Sequence, residues 1–182
     1  MKKVFLLIIV INILGQSLVF AQNWVTGMAS DWDNDIKEWT IYTDSLDAEL
    51  RFRWQLPDGT TTWDYSCGDE VSGNISQTWA GNLGDWEIRA TSGEIISMKT
   101  IWNNDFTEWR ITNNETSFRL KQKWANNKNE WEIRDETLGN IAIYTRWNDD
   151  FRDWEIQDDM IEEIGFNMRM AFIFIVLQNT TL

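Results

Sequence analysis

"IWNNDFTEWRI" (residues 101–111) sets Trp102 and Trp109 seven positions apart around an Asn/Asp-rich stretch. The phrase returns as "KWANNKNEWEI" (123–133) and "RWNDDFRDWEI" (146–156). Pairs of the same kind occur at Trp32/Trp39, Trp54/Trp63 and Trp79/Trp86. First members lie 22, 25, 23, 22 and 23 residues apart, so six units of about 23 residues fill residues 22–182 as one repeat domain.

Inside a unit the period is two. In "IAIYTRW" (141–147), Ile141, Ile143, Thr145 and Trp147 share one face, and Tyr144 and Arg146 take the other. After the second Trp, Trp131 and Ile133 alternate with Glu130, Glu132 and Arg134. Such alternation marks strands with one buried face. Placing Trp102 opposite Trp109 sets Thr100 against Ile111 and Lys99 against Thr112, with consistent parity on every rung. Ile111 opposite Leu120 and Ile133 opposite Ile143 pass the same test. The expectation is an all-β antiparallel meander of about twelve short strands, with both indoles of each pair facing inward. The second unit, "WQLPDGTTTW" (54–63), is two residues longer and should bulge at its Pro57-Asp58-Gly59 turn.

An open twelve-stranded sheet would expose an apolar face and two unpaired edges, so an up-and-down barrel is the favoured closure. A β-trefoil and a two-sheet sandwich are the alternatives. Gln77-Thr78-Trp79 and Gln122-Lys123-Trp124 lie 45 residues apart and resemble the Gln-x-Trp motif that ricin-type trefoil lectins carry once per unit. Ser30-Asp31-Trp32 lacks the Gln, and here every hairpin carries the Trp pair. The segment 166–178, "FNMRMAFIFIVLQ", is apolar on both faces of a strand and too short to span a bilayer. It reads as a closing strand buried on both sides or as a plug over an open end.

Residues 1–21 have a basic start, an apolar run and small residues before a cut after Ala21, the layout of a cleaved secretory signal peptide. The protein is therefore expected to be secreted or periplasmic. Removing Lys2 and Lys3 would take the formal charge from −13 to −15. That acidity speaks against nucleic-acid partners, and charged outward faces speak against stable membrane insertion. One Cys, Cys67, excludes an internal disulfide. The absence of His removes the commonest general base and most zinc sites.

If part of the tryptophan layer is open, indole faces beside Asn, Asp and Glu suit sugar rings and their hydroxyls. Candidate ligand-binding residues are Trp32, Trp39, Trp102, Trp109, Trp147, Trp154, Phe106 and Phe151. Asp31, Asp33 and Asp35 alternate like the start of a calcium loop, without its glycine. No cofactor is expected. The acids before each second Trp recur with the repeat, whereas catalysis needs carboxylates that differ from one another. The reading is a secreted, non-catalytic binding module with polysaccharide, or another surface protein, as partner. The alternatives are a surface-assembly protein with every Trp buried and, third, a hydrolase. Oligomeric state is open.

Overall fold

The computed structural model describes residues 24–32, 35–69 and 71–180. The expected signal segment lies outside them. Twelve antiparallel strands form a closed barrel in which each strand pairs with its neighbours in sequence and β1 meets β12. The first six are β1 (Val25–Trp32), β2 (Asp35–Thr43), β3 (Ala48–Gln55), β4 (Thr61–Cys67), β5 (Val71–Gln77) and β6 (Asp85–Ala90). The others are β7 (Ile95–Trp102), β8 (Asp105–Thr112), β9 (Ser117–Gln122), β10 (Glu130–Asp135), β11 (Gly139–Thr145) and β12 (Asp153–Met160). This is the up-and-down barrel expected from the meander, and neither a trefoil nor a sandwich. The seam is tight: a side chain at Gly27 of β1 would come within 2.8 Å of the Trp154 carbonyl oxygen.

The register differs from the sequence expectation by two residues throughout. Thr100, not Trp102, faces Trp109; Ile111 faces Phe118; Ile133 faces Ile141. A shift of two preserves parity, so the inward residues are those expected but the first tryptophans are not among them. In all six hairpins the residue two before the first Trp faces the second Trp: Ser30, Phe52, Gln77, Thr100, Gln122 and Thr145. The Gln of each Gln-x-Trp triplet therefore lies beside an inner indole. A bulge just ahead of Trp32, Trp54 and Trp102 turns those indoles outward. In the other three units the strand has already ended at Gln77, Gln122 or Thr145.

The segment expected as a closing strand or plug is instead the helix α1 (Phe166–Thr180), lodged inside the barrel. With β1 paired to β12, no sheet edge remains for a thirteenth strand. Only a helix satisfies its own backbone hydrogen bonds in a dry interior. It is surrounded, so it is apolar on every side, and all of Met168–Asn179 is buried. Its length of about 22 Å, at 1.5 Å per residue, is close to that of the strands. Phe174 packs edge-on to Trp86 (4.9 Å) and Trp63 (6.0 Å), and Phe172 to Phe118 (5.3 Å). Twelve strands enclose more space than their own side chains fill, and this helix supplies the missing core.

Polar anchors hold the helix at the end where it enters. Arg169 Nε donates to Asp158 Oδ2 of β12 at 2.6 Å, and both side chains are buried. Its guanidinium also lies 4.6 Å from the Trp24 ring. Asn167 accepts from Tyr65 Oη at 2.7 Å and donates to Glu94 at 2.9 Å. Burial, helped by the Glu94 charge, pushes the Tyr65 phenol well above its ordinary pKa. Among the described residues no helix is long and apolar enough to cross a membrane. The buried side chains of the strands are mostly apolar and form the barrel core.

Candidate functional site: a crown of exposed indoles

Odd-numbered strands run toward one end of the barrel, so all six Trp loops gather there. The two members of each pair part company at this end. Trp39, Trp86, Trp109, Trp131 and Trp154 are at most 1% exposed. Trp32, Trp54, Trp79, Trp102, Trp124 and Trp147 are 49–69% exposed. Of the ligand-binding candidates, Trp32, Trp102 and Trp147 stand at the surface. Trp39, Trp109 and Trp154 are core and out of a ligand's reach. Phe106 and Phe151 fold back, with ring centroids 6.2 and 6.0 Å from Trp109 and Trp154. Trp54, Trp79 and Trp124 are surface indoles outside the candidate set, though the repeat places them with Trp102.

The loop chemistry accounts for the Asn/Asp-rich spacer. The residue two after the first Trp has positive φ in Gly81, Asn104, Asn126 and Asp149, a conformation Gly, Asn and Asp tolerate. The next residue accepts, through its side chain, the backbone N–H two positions on: Asn82 from Gly84, Asp105 from Thr107, Asn127 from Asn129 and Asp150 from Arg152. The following residue offers its carbonyl to the inner indole. Ile36, Leu83, Phe106, Lys128 and Phe151 accept from Trp39, Trp86, Trp109, Trp131 and Trp154 at 2.7–3.0 Å. Three positions between the two tryptophans thus shape the turn or satisfy the buried N–H. Trp63 departs from this, because the equivalent carbonyl of Thr60 accepts from the Leu56 N–H in the longer loop. Its indole N–H is buried without a partner among the described residues.

The turn acids make a pH prediction. Hydrogen bonds from the Arg152 side chain and backbone lower Asp150 to a pKa of about 2, and Thr107 lowers Asp105 in the same direction. A carboxylate depressed on folding contributes stability above its unfolded pKa, near 4, that is lost as pH falls through the folded value. Asp150→Asn should therefore flatten part of the stability profile between about pH 4 and 2. Carboxyl NMR checks the assignment directly, and a midpoint for Asp150 near 4 would refute it.

Outside the turns, a carboxylate precedes the inner Trp in five units, and in two of them it accepts from the outer indole. Trp32 Nε1 donates to Glu38 Oε2 at 2.8 Å, and Trp124 Nε1 to Glu130 Oε2 at 2.7 Å. Burial raises the Glu130 pKa, but hydrogen bonds from Lys123 and Trp124 outweigh it and leave the carboxyl lowered. Asp85, Glu108 and Asp153 pair with Lys99, Arg119 and Arg146 at 3.3, 2.6 and 3.4 Å. The crown thus sets outer indoles and a carboxylate at the same end of the barrel in five of the six units. Each supplies an apolar plate beside hydrogen-bond acceptors, the parts that bind polyhydroxylated rings.

Of the calcium candidates Asp31, Asp33 and Asp35, only Asp31 has a described side chain. Asp33 lies outside the described residues, and Asp31 Oδ1 accepts from Thr40 Oγ1 at 2.7 Å. Among the described residues no group of three His, Cys, Asp or Glu side chains is placed to hold a metal ion. Cys67 is buried, and burial raises its thiol pKa. Comparison with known protein families, curated proteins and solved structures finds no match for this chain.

Proposed function

We propose that the protein is a secreted, non-catalytic carbohydrate-binding module that engages an extended polysaccharide through its crown of outer indoles. The observation that carries this reading is the division of each Trp pair into one core and one surface member. Exposing six large aromatic rings to water costs solubility and contributes nothing to the core. A structural barrel would have no use for them, and a surface-assembly protein with every Trp buried fits less well. Repetition also favours avidity over a single deep pocket, since several weak plates on one chain bind a repeating polymer cooperatively.

The test is affinity electrophoresis through gels containing soluble polysaccharides. Wild-type mobility should be retarded by at least one of them. Trp102→Ala/Trp147→Ala should weaken that retardation about tenfold, with unchanged thermal stability. Unaltered retardation of the double variant, or no retardation by any of a broad panel, would remove this reading.

A further inference from the structure

The second repeat breaks the pattern of the crown, and it does so beside a concavity on the surface. A groove of about 800 Å³ runs over the outer face of β3–β6. Arg51, Arg53 and Trp54 of β3 border it on one side and Arg89 of β6 on the other, with Asp64 of β4 and Asn74 of β5 between them. Long side chains on the two flanking strands and short ones on the middle pair make the hollow. Where the other five units carry Glu38, Asp85, Glu108, Glu130 or Asp153, this unit has Thr62. The Trp54 indole has the Arg53 guanidinium as its neighbour, 4.4 Å from the ring centroid.

We propose that this groove binds the acidic sugars of a uronic-acid polysaccharide, with carboxylates on Arg51 and Arg89 and a sugar ring on Trp54. The proposal rests on the carbohydrate reading and names the class of polymer. Charge supports it. Three arginines meet three acids, Glu49, Asp64 and Glu87, in and beside the groove, a locally neutral patch on a chain whose formal charge is −13. An acidic polymer is repelled less here than over the rest of the acidic surface. Each guanidinium is oriented by one acid, Arg51 by Glu49 (2.9 Å), Arg53 by Asp64 (3.2 Å) and Arg89 by Glu87 (2.7 Å). A guanidinium has five N–H donors, so donors remain for a second carboxylate. Asp64 and Asn74 offer hydrogen-bond partners to hydroxyls.

Calorimetry with polygalacturonate and alginate, and with methyl-esterified polygalacturonate as the uncharged control, tests this on the full chain. The wild-type protein should bind an acidic polymer, more weakly as salt rises, and should lose binding on esterification. Arg51→Ala/Arg89→Ala and, separately, Trp54→Ala should each weaken binding about tenfold without changing the melting temperature. Equal affinity for acidic and esterified polymer, or wild-type affinity in the arginine double variant, overturns the groove. Binding of neutral polysaccharides alone overturns the groove and leaves the crown standing. Binding of no polysaccharide overturns both.

Discussion

Ending the chain at Gly165 should abolish cooperative folding. Met168, Met170, Phe172, Ile173, Phe174, Ile175, Val176 and Leu177 would leave with the helix, all of them at most 3% exposed. At about 1.5–3 kcal/mol for each buried apolar side chain, their loss matches or exceeds the whole net stability of an ordinary domain, about 5–15 kcal/mol. The barrel wall cannot collapse onto the space, since the sheet closes at a fixed strand number and register. The truncated protein should bind a hydrophobic dye, melt without a sharp transition and emit from tryptophan at longer wavelength. Phe174→Ala is the milder form of the same experiment. It removes the ring between Trp63 and Trp86 and should cost about 3–5 kcal/mol in urea denaturation. A truncated chain that melts sharply near the wild-type temperature would show that the helix is an accessory.

The second large effect lies at the buried pair. Arg169→Ala leaves the Asp158 carboxylate buried without its cation, and Asp158→Ala leaves the guanidinium in the same position. Each should cost about 3–5 kcal/mol, because the remaining charge stays desolvated. Asp158 also accepts the backbone N–H groups of Val25 and Met160 at 3.3 and 3.2 Å, so it ties β1, β12 and the helix at the barrel seam. Replacing both partners, Asp158→Leu with Arg169→Met, should recover most of the loss, since an apolar pair avoids the desolvation. The expected coupling in this double-mutant cycle is large and favourable. Single variants costing less than about 1 kcal/mol each would mean that the pair behaves as a surface ion pair, contrary to its burial.

Much of this architecture is legible in the residues, and the failures have physical causes. Period-two alternation identifies the strands and their inward face, and the exposed-edge argument closes the barrel. Register was not determinable from parity, because sliding a strand by two residues keeps every side chain on its own face. The turn residues held the missing signal. In five of the six units an Asn, Asp or Gly suited to positive φ stands two places after the first Trp, followed by an Asn or Asp, which starts the turn at the Trp itself and puts the indole on the corner. The helix was hidden by composition: Ile173, Ile175 and Val176 favour strands, and an apolar run of this length fits a buried strand or a buried helix equally. Barrel closure decides between them by removing the free edge. The groove was beyond sequence reading, since Arg89 reaches it from a strand far along the chain, although Thr62 in place of an acid marks the second unit as different.

The division of the tryptophans is the claim on which the rest depends. Brief oxidation of the native protein with N-bromosuccinimide, followed by peptide mass spectrometry, measures it residue by residue. Trp32, Trp54, Trp79, Trp102, Trp124 and Trp147 should be modified rapidly, and Trp39, Trp86, Trp109, Trp131 and Trp154 should stay intact until the protein unfolds. Comparable modification within each pair, or protection of the first members, would contradict the register, the crown and the function drawn from it.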